Sequence, residues 1–207
     1  MGTDQHGGKR AVFLDRDGVI NRNVWNPAAS QYESPLTADR FELLPGVLHA
    51  LMKLQNANFL LFVVSNQPNY AKGKSSPEAA STIHRKLLSN TSSAGIHFAD
   101  CYYCFHHPDG SNPNYSGPCI CRKPSPYFLY QARQSFDVNL AESWMIGDRE
   151  SDMQCGRKAG TRTIFIDDAP ARRCQADADY FAKHLAEAAR LILERSNSAR
   201  KLRTCGT

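Results

Sequence analysis

The feature that most constrains this fold is a short apolar run that recurs along the chain and stops each time at a polar residue. Residues 10–15 read RAVFLD, 59–67 FLLFVVSNQ, 143–148 SWMIGD and 161–167 TRTIFID. Runs this short, apolar on both alternating faces, predict strands buried on both sides, as in a parallel sheet. Between them the apolar period changes. Val47, Leu48, Leu51 and Leu54 recur at helical spacing between Pro45 and Asn58, and 75–89 offers Ser76 as N-cap, Pro77 at the first helical position and Ile83 and Leu87 on one face. Residues 125–136 and 150–160 read as further helices, the second stopped by Gly160, and a last helix is expected at about 183–195. DCYYCF at 100–105 reads as a strand, whereas 106–121 is too rich in Pro, Gly, Asn and Ser for regular structure. Strand and helix alternate throughout without an internal repeat, which predicts an α/β doubly wound parallel sheet with helices on both faces. At 207 residues the chain suits a single domain, 1–207, ending in a polar and flexible tail at 196–207.

Composition narrows the possible functions. Hydrophobic content of 42% with 22% charged residues is that of a globular chain. The longest apolar stretch, 59–64, falls far short of the roughly 20 residues needed to span a bilayer. The first ten residues are polar and lack the apolar segment of a secretory signal, so a cytoplasmic protein without a membrane partner is expected. The net charge of +5 comes from scattered Lys and Arg apart from a basic tail at 198–204. No basic surface interleaved with aromatics is evident, so a small anionic substrate fits better than nucleic acid. The seven cysteines, Cys101, Cys104, Cys119, Cys121, Cys155, Cys174 and Cys205, point to metal binding rather than a disulfide framework.

In a doubly wound sheet, ligands bind beyond the carboxyl ends of the strands. Asp15 closes the first strand, Ser65 and Asn66 close the second, and Asp148 closes a later one. A lone aspartate at a strand end is ordinarily a cap or turn residue. Here Asp15 and Asp17 stand one residue apart where the strand runs out, and Gly18 lets the backbone turn, so both carboxyls can face the crevice. With Asp148 they suit Mg²⁺, a hard cation that prefers oxygen ligands, and an aspartate beside it can attack phosphorus as a nucleophile.

DRDGVIN (15–21), SNQ (65–67), CRKP (121–124) and GDRESDM (147–153), in this order, resemble the motifs of the haloacid dehalogenase superfamily of phosphatases over about residues 10–168. That resemblance implies a Rossmann-like core with Asp15 as nucleophile and Asp17 as general acid and then base. It implies Mg²⁺ held by Asp15, the Asp17 backbone carbonyl and Asp148, with Ser65 and Lys123 stabilising the transferred phosphoryl group. Asp152 matches a further family acid that could instead cap or orient. The stretch after the second motif departs from the family, with Pro68, Asn69 and Lys72 where a glycine and an arginine are usual.

Cys104-x-His106 and Cys119-x-Cys121 supply three thiolates and an imidazole to a loop, 104–121, that has no core of its own. The set suits structural Zn²⁺, with buried unpaired thiols as the other reading and His107 as an alternative to His106. The loop resembles that of the D-glycero-D-manno-heptose 1,7-bisphosphate phosphatases, which lack a large cap domain; histidinol-phosphate phosphatases share a similar one, and nucleic-acid 3′-phosphatases occur in the same superfamily. The resemblance implies hydrolysis of a sugar phosphate at its C7 phosphate, and a monomer is expected. Arg122 could grip a second phosphate bidentately or make a surface salt bridge, while Asn21 and Asn66 could contact substrate, Asn21 alternatively capping its turn.

Overall fold

A computed structural model describes residues 8–27, 30–167 and 177–204, with side chains described up to residue 197. Cys174, Cys205 and the first seven residues lie outside them. The elements in chain order are β1 (Ala11–Leu14), β2 (Val24–Asn26), β3 (Gln31–Glu33), α1 (Val47–Asn56), β4 (Leu60–Asn66), α2 (Pro77–Ser92), β5 (Asp100–Cys104), α3 (Tyr127–Phe136), β6 (Trp144–Gly147), α4 (Glu150–Ala159), β7 (Arg162–Ile166), β8 (Tyr180–Ala182) and α5 (Leu185–Thr204).

Six strands form one sheet in the order β5-β4-β1-β6-β7-β8, and every neighbouring pair is parallel. The continuous apolar runs follow from burial of both faces. On one face Val12, Leu14, Leu61, Val63, Trp144 and Ile146 pack under α1, α2 and α5; on the other Ala11, Phe13, Phe62, Val64 and Met145 pack under α3 and α4. Across the second face the rings of Phe13, Phe62 and Tyr102 stack from strand to strand, with centroids 5.1 and 6.2 Å apart. The chain leaves β1 for β4 and β5 on one side and returns to β6 and β7 on the other. The switch point therefore lies where β1 ends, and the crevice opens there.

The helix signals act as the residue types dictate. Ser76 accepts a hydrogen bond from the Ala79 N–H at 3.2 Å with Pro77 behind it, and Gly160 closes α4 at φ 81°. Three features differ from the sequence-based expectation. β2 and β3 form a separate antiparallel hairpin, too short to show a period, and β8 adds a sixth strand at the sheet edge. The last helix runs to Thr204 rather than stopping near 195, because nothing in 196–204 breaks it: the stretch contains neither Gly nor Pro. No helix among the described residues is long and apolar enough to cross a membrane.

Candidate active site

Each polar residue at the crevice is carried there by a strand end. Asp15 follows β1, and its N–H donates to Ile146 O at 2.9 Å, which sets it beside the end of β6 and Asp148. The chain then turns tightly: Ile20 N and Asn21 N both donate to Arg16 O, and Gly18 N to Asn21 O. Gly18 has φ 82°, and a Cβ there would overlap the Asp148 carboxylate. Glycine is required at this point both by conformation and by the close approach of an acid.

Asp15, Asp148 and Asp152 bring carboxylate oxygens within 4.8 Å of one another. Lys123 crosses this cluster from the far side of the 104–121 loop. Its buried ammonium lies 3.0 Å from Asp15 Oδ1 and 2.6 Å from Asp152 Oδ1, and it donates to Val64 O at 2.7 Å. Burial opposes the charge on Lys123, but the two carboxylates outweigh it and hold the ammonium protonated. Asn66 fixes the lysine backbone from both sides, accepting from Lys123 N at 3.0 Å and donating to Lys123 O at 3.1 Å. Asp152 also accepts from Arg149 N at 3.0 Å, capping α4, so both of its oxygens have partners.

Asp15 and Asp152 thus meet both Lys123 and the cleft, and Asp148 closes the cluster beside them. Burial first, then the charges of Asp15 and Asp152, push Asp148 up to about 8. Burial and Asp15 likewise push Asp152 up to about 6, against the opposing pull of Lys123. Buried acids crowded this closely favour a cation, and an all-oxygen donor set fits a hard one such as Mg²⁺.

Asp17 sits in a different environment. Its carboxylate accepts from Arg16 Nη2 at 3.1 Å, Asn21 Nδ2 at 2.9 Å, Ser34 Oγ at 2.9 Å and Gln67 Nε2 at 2.6 Å. Burial alone would raise its pKa; the Arg16 charge and the bonds from Asn21, Gln67 and Ser34 outweigh burial and lower it. Asn21 is 0% exposed and lies against Asp17 rather than in the cleft, while Ser65 is buried with its hydroxyl accepting from Gln67 at 3.0 Å. The cleft itself has a volume of about 240 Å³ and is lined by Asp15, Asp17, Asn66, Lys72, Arg122 and Lys123, with Pro68, Asn69, Tyr32 and Arg149 also at its walls.

Beside the cleft, Cys104, His106, Cys119 and Cys121 converge. Their Sγ–Sγ separations are 3.3 to 3.8 Å, and His106 Nδ1 lies 3.5 Å from Cys121 Sγ and 3.8 Å from Cys104 Sγ. A tetrahedron of sulfurs at about 2.3 Å from a zinc ion has edges of about 3.8 Å, so the donors fit that metal. His107 instead accepts from Asp109 N at 3.1 Å, which makes His106 the ring in the cluster. Arg122 follows directly and donates to His106 O at 3.1 Å, so the cysteine loop orients it.

Arg16, Gln67 and Ser34 around Asp17, and the Asp152–Lys123 pair, were not assigned roles from sequence. Arg16 and Gln67 lie inside the DRDG and SNQ stretches, so their positions were in view. Ser34 carries no signal of its own, because it arrives on the unforeseen hairpin.

A parallel sheet with an acid-rich crevice at its switch point, an anion-facing lysine and a cation-ready cluster defines a hydrolase of the haloacid dehalogenase type. The profile of the HAD-hydrolase-like family matches residues 120–188. The chain is 32% identical to the D-glycero-beta-D-manno-heptose-1,7-bisphosphate 7-phosphatase of Yersinia pestis, over 89% of this chain and 96% of that one. It is 31% identical to the D-glycero-alpha-D-manno-heptose-1,7-bisphosphate 7-phosphatase of Photorhabdus laumondii, over 78% and 84%. Among solved structures, the D,D-heptose 1,7-bisphosphate phosphatase of B. bronchiseptica, complexed with magnesium and phosphate, superposes with a TM-score of 0.75 at 26% identity, over 90% of this chain and 99% of that one. The chain belongs to the haloacid dehalogenase-like phosphatases, grouping there with the proteins named heptose-1,7-bisphosphate 7-phosphatases, and it is a phosphoric monoester hydrolase.

Proposed function

We propose that the chain is a Mg²⁺-dependent phosphatase that removes the C7 phosphate of D-glycero-D-manno-heptose 1,7-bisphosphate through an aspartyl-phosphate. The product is heptose 1-phosphate for nucleotide-activated heptose synthesis. The observation that carries this reading is the cleft that holds the Asp15–Lys123 pair and is also lined by Lys72, Arg122 and Arg149. A bisphosphate needs cations for the phosphate that stays as well as for the one that leaves. The names of the relatives support the same substrate class.

Asp15 is the nucleophile. The contacts from Lys123 and from Arg16 N both fall on its Oδ1, which fixes the carboxylate plane before substrate arrives. The carboxylate attacks phosphorus, the bond from phosphorus to the C7 oxygen breaks, and Lys123 offsets charge on the equatorial oxygens. Asp17 gives a proton to the departing alkoxide. Its four donors keep it ionised at rest, and an arriving phosphate favours the protonated form by adding negative charge nearby. Asp17 then takes a proton from the water that attacks the acyl phosphate, which frees Asp15 and inorganic phosphate. Mg²⁺ held by Asp15, Asp148 and the Asp17 carbonyl would neutralise the substrate's charge. Zn²⁺ held by Cys104, His106, Cys119 and Cys121 would be structural, placing Arg122 on the second phosphate.

The test is phosphate release from heptose bisphosphate, histidinol phosphate and a 3′-phosphorylated oligonucleotide side by side, with ³¹P NMR of the sugar product. The expected result is preference for the bisphosphate and loss of the C7 phosphate. In Arg122→Ala, kcat/KM should fall about tenfold or more for the bisphosphate and less for the matching monophosphate. Release of the C1 phosphate, or an equal loss on both substrates, would overturn the binding mode.

A further inference from the structure

Arg16 lies between two neighbours of opposite character. On one side its guanidinium holds Asp17 and donates to Gln67 Oε1 at 2.8 Å. On the other it lies 5.8 Å from the centre of the Tyr103 ring, close enough for the ring face to attract the cation. Tyr103 is held in turn. Its hydroxyl is 3.1 Å from His84 Nδ1, and the two rings meet edge to face at 5.5 Å. Burial and the Arg16 charge lower the His84 pKa, so the neutral imidazole accepts and the phenol donates. His84 stands on α2, which Ile83 and Leu87 anchor in the core, and Tyr103 stands on β5. His84 belongs to none of the motifs that carry the family resemblance, and neither residue lines the catalytic cleft.

Arg16, Tyr103 and His84 share a second cavity of about 300 Å³, walled by Tyr70, Phe105 and Tyr115. That space is where the guanidinium could go if nothing restrained it. A long side chain beside an open cavity has alternative rotamers, and leaving Asp17 would remove that carboxylate's only cationic donor among the bonds described.

We infer that His84 and Tyr103 are positioning residues that keep Arg16 on Asp17 and so set the orientation of the catalytic acid. The inference rests on the reading of Asp17 as general acid. It predicts that damage is confined to the step that needs a proton. The measurement is kcat/KM, which reports events up to phosphoenzyme formation, on two substrates. One is heptose bisphosphate, or whichever alkyl phosphate of the panel the wild type prefers, whose alkoxide must be protonated. The other is p-nitrophenyl phosphate, whose leaving group needs no proton.

Tyr103→Leu should lower kcat/KM about tenfold on the alkyl phosphate and less than about twofold on p-nitrophenyl phosphate, a fraction of what a general acid supplies. Tyr103→Phe keeps the ring and should recover most of the loss. His84→Ala should match Tyr103→Phe, and the double variant should be no worse than either single one, because both remove the same contact. Retained p-nitrophenyl phosphate activity also reports that each variant is folded. Equal losses on the two substrates, multiplying losses in the double variant, or wild-type behaviour of Tyr103→Leu would overturn the inference. Asp17→Asn separates the two levels. If it keeps alkyl-phosphate turnover, the acid assignment fails and takes this inference with it; if it loses about a hundredfold or more while Tyr103→Leu stays unaffected, only the positioning role fails.

Discussion

At the residue scale, a few atoms determine whether the crevice can work. Asp15→Asn keeps the shape and removes the nucleophile, so steady-state turnover should fall about a thousandfold or more in a variant that still folds, with some stability lost because Lys123 keeps only Asp152 as an anionic partner. A verified preparation with near-normal turnover would reject Asp15. Gly18→Ala is a steric test: a methyl group in a left-handed conformation collides with the Asp148 carboxylate, so Mg²⁺ affinity and turnover should drop together. Unchanged Mg²⁺ affinity by calorimetry would show that the loop yields without moving Asp148. Asp152→Asn should act on Lys123 rather than on the nucleophile, because it removes one of the two carboxylates that hold the ammonium. A buried lysine left with a single anionic partner is costly, so a loss of about 3 kcal/mol or more of stability is expected in urea melts. A change below about 1 kcal/mol would mean that Asp15 alone suffices.

At the scale of elements, the 104–121 loop and the β2–β3 hairpin furnish what the sheet cannot. The loop carries Lys123 and Arg122 to the cleft, and its four convergent donors would tie it together through the proposed zinc ion. Cys119→Ser and Cys121→Ser should each lower bound zinc from about one ion per chain in metal analysis. Full metal content in both would dismiss these ligands. Metal removal should speed hydrogen exchange in 104–121 more than in β1, β4 and β6, whose side chains pack on both faces. Uniform acceleration along the chain would contradict that independence. The hairpin contributes Ser34 to Asp17 and Tyr32 to the cleft wall, and Glu33 pairs with Lys74 at 2.7 Å to tie it to the loop after β4. Neither Ser34 nor the Glu33–Lys74 tie was visible in a strand of three residues.

For the whole molecule, the acid cluster links metal, protons and stability. In the metal-free fold Asp148 is raised from its ordinary value to about 8, so ionising it costs stability that grows as pH climbs from the unfolded-state value toward 8. A cation that binds only the folded, ionised form removes this cost. Mg²⁺ should therefore raise the thermal midpoint more at pH 8 than at pH 6, with proton release on binding at the lower pH. An Mg²⁺ shift independent of pH, measured by scanning calorimetry in buffers of differing ionisation enthalpy, would refute this coupling. The layered plan was legible in the chain because burial on both faces demands unbroken apolar runs, and the acids that end those runs had only one side of the sheet to occupy. Asp15 and Asp148 could be named for that reason, Lys123 through its place in the CRKP stretch that carries the resemblance, and the cysteine and histidine pairs by their spacing, itself a chemical signal. What tertiary structure alone decided is which partners each group meets. Asp17 turns to Ser34 and Gln67, Asp152 reaches Lys123, and His84 reaches Tyr103, because contacts between residues this far apart in the chain depend on register and packing that no local pattern encodes.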